Sequence, residues 1–114
     1  MLTFNHMVER SEVLDRTYGA LAQARRRTML AMLRSGPLRV TDMAKPFAIS
    51  LAAVSKHVGV LESAGLVTRS VTGRDHLLSL EPGPLVEARD WIEVYRDFWE
   101  ERLDALDLHL REGR

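Results

Sequence analysis

The sequence predicts a mainly α-helical fold with one small β-hairpin, about five helices in all. Three observations carry that expectation. Apolar residues recur at three- and four-residue spacing along most of the 114 residues. One stretch, VTRSVTGRDHLLSL (67–80), changes to strand-favouring residues around Thr72-Gly73-Arg74. Strong breakers stand at the joints, at Ser35-Gly36-Pro37, at Ala64-Gly65 and at Pro82 and Pro84.

Each element has its own warrant. Residues 8–22 read as a helix with Val8, Val13, Leu14 and Leu21 inward, and Tyr18 and Ala20 also suit burial. A second helix, about 25–35, turns Met29, Leu30, Met32 and Leu33 inward and stops at Ser35-Gly36-Pro37. The pair Gln23-Ala24 is a weak break, so a merger of these two helices stays open. In LRVTDMAKPFAIS, Thr41 is placed to cap a short helix, about 41–47, with Ala44 and Phe47 on its inner face. Pro46 lacks an N–H and disfavours helical geometry at Lys45, so it should end or distort that helix.

Ser50 then caps SLAAVSKHVGVLESAGL (50–66), in which Val54, Val58 and Leu61 share one sector. Gly65 suits a left-handed cap, with Leu66 folding back on the helix. The hairpin is expected at about 66–71 and 75–80. Pro84 suits a first helical position, and 84–111 reads as one long helix with Leu85, Ala88, Ile92, Tyr95, Trp99, Leu103, Leu106 and Leu110 in step.

The length suggests one domain, 1–114: N-terminal helices over 8–35, a helix-turn-helix over 39–65, a wing over 66–80 and a C-terminal helix over 84–111. A chain this short buries a modest core, which makes a dimer attractive. There is no apolar run of membrane-spanning length and no signal-peptide pattern in MLTFNHMVERSE. With zero cysteines there is no disulfide, thiolate ligand or redox thiol, which fits a cytoplasmic setting.

Net charge is zero, but its distribution is uneven. Residues 20–80 hold nine Lys/Arg against three acids, a balance of +6. Residues 81–114 hold five Arg against ten acids, a balance of −5. A basic middle attracts polyanions and the acidic ends avoid them.

A short helix, a tight turn, a capped helix and a hairpin with a basic tip make a helix-turn-helix followed by a wing. In that motif the second helix enters the major groove, about 12 Å wide, and its early residues meet base edges. Ala52, Ala53, Ser55 and Gly59 leave that helix slim where it faces outward, Ser50 and Ser55 can donate to phosphates, Leu51 is a further DNA-contact candidate, and Lys56 can donate to guanine or phosphate. His57 sits at the edge of the buried sector and suits internal packing as well as DNA contact. Arg74 at the wing tip can reach a flanking minor groove, and Arg69 is a second wing candidate. Gly59 costs about 1 kcal/mol relative to Ala in a helix. Close approach of a duplex would justify it, and tolerance of an exposed glycine would equally account for it. Arg25, Arg26 and Arg27 suit either phosphate contact or a helix surface.

With these residues in view, a family resemblance emerges. SLAAVSKHVGVLESAGLV followed by TGRDHLLSL resembles the ArsR-type (ArsR/SmtB-like) winged helix-turn-helix repressors, and RRRTMLAMLRSGPLRVTDMAKPF fits their second and third helices. The likeness covers about residues 12–80, and the tail PLVEARDWIEVYRDFWEERLDAL resembles a cysteine-free branch. It implies a homodimer, formed by the first and last helices, that binds a palindromic double-stranded operator and represses transcription, with DNA contact at 50–57 and Arg74. Metal-sensing members place cysteines where this chain has Leu38-Arg39-Val40-Thr41-Asp42. Asp107 and His109, two residues apart, do not share a helix face, so no metal site and no cofactor are expected. Gln23-Ala24 also replaces the Asp-Pro-like break expected there.

Trp91, Tyr95, Phe98 and Trp99 cluster on the last helix, too broad a stripe for a monomer of this size to cover. With Leu14, Tyr18, Ile92, Leu103 and Leu106 they form the expected dimer interface. A pocket there for an unidentified small-molecule inducer is the sharper alternative. The competing function is a winged-helix protein-interaction module that does not bind DNA. An enzyme is disfavoured, because there is no cysteine nucleophile, no glycine-rich phosphate loop and no paired His/acid motif, and His6, His57, His76 and His109 are scattered.

Overall fold

The computed structural model describes residues 2–113, with side chains from residue 8 onward; the His6 side chain lies outside them. The element order is α1 (Leu2–Leu21), α2 (Ala24–Met32) with a 3-10 turn at Leu33–Ser35, β1 (Leu38–Arg39), α3 (Val40–Ala44), α4 (Leu51–Ser63), β2 (Val67–Thr72), β3 (Asp75–Leu80) and α5 (Gly83–Glu112).

The first two helices do not merge, and the reason is a pair of arginines. A helix end leaves carbonyls without intrahelical partners. Arg26 reaches back to α1, donating from Nε to Ala20 O at 2.7 Å and from Nη2 to Gly19 O at 3.0 Å. Arg27 Nη1 donates to Leu21 O at 2.7 Å. These positive groups close the negative end of the α1 dipole and turn the chain at Ala22-Gln23. Arg26 and Arg27 therefore have internal partners, whereas Arg25 is exposed.

α3 differs from expectation in three ways. Residues Leu38 and Arg39 form a short third strand, paired antiparallel with β3 at Leu78 and Leu77. Thr41 lies inside α3; the N-cap is Arg39, with no side-chain cap bond. Lys45 keeps right-handed helical angles despite preceding proline, and the helix nonetheless stops at Ala44, before Pro46. Met43, not singled out by spacing, is the fully buried anchor of this helix, while Ala44 and Phe47 are half-buried.

α4 is bounded as its sequence demands. Ser50 Oγ accepts from the Ala53 N–H at 3.1 Å. At the other end Gly65 adopts φ +74°. The Leu66 N–H reaches Leu61 O at 3.0 Å and the Gly65 N–H reaches Glu62 O at 2.9 Å, which is a Schellman closure. β2 and β3 pair from Val67↔Leu80 to Thr72↔Asp75, giving a sheet of order β1-β3-β2. The hairpin turns at Gly73, whose φ of +62° suits the first central position of a two-residue loop.

One core gathers these parts: Met29, Leu30 and Leu33 from the α2 end, Met43, then Val54, Val58 and Leu61, and Leu66, Val67 and Leu78 from the wing base. Val8, expected inward, is exposed, while Val13 and Leu14 are half-buried and Thr17 is buried. Thr17 satisfies its hydroxyl on Val13 O at 2.9 Å.

α5 is different in kind. Its 30 residues include one buried side chain, Ala88, and Pro84 stands at its second position, not its first. The radius of gyration is 19.4 Å, against roughly 13 Å for a compact chain of this length. The excess reflects a helix that leaves the core and continues alone.

Candidate nucleic-acid interface

α4 shows two opposed faces. Val54, Val58 and Leu61 have no exposure, while Leu51, Ala52, Ser55 and Lys56 point to solvent and Ala53 and Gly59 are half-buried. The outward arc is therefore low in profile, with Lys56 as its one cation. Ser50, also exposed, is committed to its cap bond through Oγ.

Gly59 lies in a shallow groove between α4 and the end of α1, lined also by Gly19, Val60 and Ser63. A methyl added there would meet nothing within 4 Å. No packing within the chain calls for this glycine, so it is either tolerated or reserved for something outside the chain.

His57 is turned inward. Its Nδ1 lies 3.4 Å from Arg26 Nη1, the same arginine that closes α1. Burial, then the neighbouring charges of Arg26, Arg25 and Lys56, hold its pKa below the usual imidazole value. A neutral ring can accept from Arg26; a protonated one cannot.

Between α4 and the wing is a concavity of about 280 Å³ lined by Arg39, Thr41, Leu51, Ser55, Arg69, Arg74 and His76 among others. Arg39 lines it together with Arg74 and is linked to Asp75 only loosely, at 4.0 Å between exposed groups. Lys56 and Arg74 have no ion-pair partner among the described residues. Arg69 is drawn into the body of the protein by Glu62, at 2.7 Å, and His76. Sequence reasoning missed Arg39 and Thr41. The signal was present in the basic residue opening the third helix, but only the β1–β3 pairing brings it beside the wing.

The second surface is on α1 and α5. Tyr18 Oη donates to Ala88 O at 2.8 Å, and its ring meets Trp91 edge-on at 5.9 Å. Trp91 and Tyr95 stack tilted at 4.9 Å. Beyond them Ile92, Tyr95, Phe98, Trp99, Leu103 and Leu106 are between 46% and 60% exposed. Leu14 and Tyr18 are half-buried beside Trp91. No cluster of three or more metal-binding side chains occurs among the described residues. Among the described residues no helix is long and apolar enough to cross a membrane.

This geometry has relatives. Residues 21–70 match the model of a helix-turn-helix domain. The HTH-type transcriptional regulator Rv2034 of Mycobacterium tuberculosis is 37% identical over 75 residues, covering 66% of this chain and 70% of that protein. A crystal structure of an ArsR family transcriptional regulator superposes with a TM-score of 0.75 at 32% identity, covering 79% of this chain and 93% of that one. The chain belongs to the ArsR family of transcriptional regulators. The HTH-type transcriptional regulator NmtR, also of M. tuberculosis, is 42% identical over 64 residues, 56% of this chain, and the chain spans about half of that relative. As an ArsR-family regulator this protein is a DNA-binding transcriptional regulator, with a helix-turn-helix and wing as the sequence predicts.

Two outcomes test the local physics of this ArsR-family site. Gly59→Ala should raise the free energy of unfolding by up to about 1 kcal/mol in urea titrations, because the added methyl fits. If a duplex packs against that point, the same variant binds operator DNA more weakly. For His57, the folded pKa lies below the unfolded value near 6.5. The unfolded chain then binds the proton more readily, so this residue's contribution is complete above pH 6.5 and is lost as pH falls toward the folded pKa. His57→Gln should flatten that acid limb of a stability–pH curve.

Proposed function

We propose that this regulator is a homodimeric repressor that reads a palindromic operator with two copies of α4. The observation that carries the reading is the low outward arc of α4, with Lys56 at its centre, beside a basic wing. Ser50, Leu51, Ala52, Ala53 and Ser55 let the helix backbone approach base edges, and Lys56 donates to guanine or phosphate. Arg74 reaches the flanking groove, and Arg39 joins it at the phosphates. Arg69 and His57, each occupied by an internal partner, act behind this surface.

The dimer is supported by α5. A stripe running from Trp91 to Leu106 is half-exposed in the single chain. Contiguous apolar surface of that extent normally marks an interface. Leu14 and Tyr18 of α1 continue the stripe, so both helices contribute. Two-fold pairing would set two α4 helices about one DNA turn, roughly 34 Å, apart. The acids of α5, several of them paired along the helix with Arg96 and Arg111, stay away from the phosphates. The protein works in the cytoplasm by binding, with no catalytic step, and an inducer would be a small molecule at the dimer interface.

The test is a footprint and a salt titration on the DNA flanking its own gene. Wild type should protect a palindrome, and the Kd should rise steeply with salt. Lys56→Ala and Arg74→Ala should each reduce the slope of log K against log salt by about 0.9 if they neutralise a phosphate. No preference for any operator over random DNA would favour the protein-interaction reading instead. Separately, Leu103→Glu should convert a dimer to a monomer in sedimentation equilibrium and weaken operator binding at least tenfold. A wild-type monomer at micromolar concentration would refute the dimer.

A further inference from the structure

Arg69 joins three elements through one guanidinium. Nη2 and Nε donate to the two carboxylate oxygens of Glu62 on α4, at 2.7 and 3.3 Å. Nη1 lies 3.0 Å from Nδ1 of His76 on β3. Since arginine has no lone pair to offer, the imidazole nitrogen is the acceptor in that contact. The Arg69 and Glu62 side chains are 25% and 31% exposed, the least exposed ion pair among the described residues. A planar fork on a carboxylate fixes direction as well as distance.

The wing needs such a fixture. β1 pairs only with Leu77 and Leu78, so the outer rows Val71↔His76 and Thr72↔Asp75 project as a two-stranded ribbon. A two-stranded hairpin is marginally stable by itself. The link from Glu62 through Arg69 to His76 ties the base of that ribbon to the helix that carries Lys56.

We propose that Arg69 is a positioning residue: with Glu62 and His76 it sets the angle of the wing tip against α4 and so puts Arg74 at the DNA flank. This rests on the DNA-binding reading of the same face. It also separates two roles of opposite sign. Were Arg69 a phosphate contact, removing Glu62 would free it, delete a negative charge and tighten binding. As a positioning residue, it needs Glu62, and the same change loosens binding.

Glu62→Gln therefore decides the matter. The expected result is roughly two- to fivefold weaker operator binding, on the scale of a partly exposed ion pair, with any fall in the salt slope no larger than that of Arg74→Ala. Arg69→Lys keeps the charge but loses the fork and should behave alike. In an Arg74→Ala background Glu62→Gln should add no further loss, because it acts through Arg74. In the free protein, backbone amides of 71–76 should exchange faster in Glu62→Gln while those of α4 stay protected. Tighter or unchanged operator binding by Glu62→Gln, an undiminished loss in the Arg74→Ala background, or unchanged exchange at the wing tip would each overturn the proposal. Circular dichroism confirms that each variant is folded. The exchange measurement does not involve DNA, so it judges the clamp even if wild type binds no operator.

Discussion

Burial of Val54, Val58 and Leu61 is the constraint on which the rest of the structure depends. Removing a Val or Leu side chain from water contributes roughly 1.5–3 kcal/mol, and these three occupy one sector of α4. Their partners come from every other part of the domain: Met29 and Leu33 from α2, Met43 from α3, Leu66 and Leu78 from the wing base. Rotation of α4 about its axis would expose that ridge, so the opposite arc has a fixed direction. The small residues at Ala52 and Ser55 and the cation at Lys56 face outward because the valines face inward.

Polar groups finish what apolar burial begins. The end of α1 presents carbonyls that α2 answers with Arg26 and Arg27, and Arg26 continues to His57 on α4. At the far end of α4, Glu62 takes the guanidinium of Arg69. α4 is thus tied at its middle, through His57, to the junction of α1 and α2, and near its C-terminal end, through Glu62, to the wing. These arginines also bear on how a chain of zero net charge carries the proposed DNA-facing surface. Some of its positive charge closes internal bonds, at Arg26, Arg27 and Arg69, while Arg39 and Arg74 line the concavity beside the wing and Lys56 stays exposed on α4.

α5 follows a separate logic. It touches the body near Tyr18 and Ala88 and then runs on with its aromatic and leucine residues half-exposed. Such a helix is not stable alone in water by propensity; amphipathic packing normally supplies the stability. In the proposed dimer a second copy of the same stripe would satisfy that need and give the two-fold symmetry that a palindrome mirrors.

Much of this was readable from the sequence because it is set locally. The α4 ridge follows from three- and four-residue spacing, its ends from Ser50 and Gly65, the wing from strand formers around Gly73, and α5 from one uninterrupted stripe. Each depends on neighbours within a turn or two. Tertiary structure alone decided the third strand at Leu38–Arg39, the burial of Met43, the inward turn of His57 and the capture of Arg69 by Glu62 and His76. It also brought Arg39 and Arg74 to the lining of one concavity. A two-residue strand has no period to detect, and an arginine's choice between carboxylate, carbonyl and solvent depends on which groups the fold brings within 3 Å, a distance that no local pattern encodes.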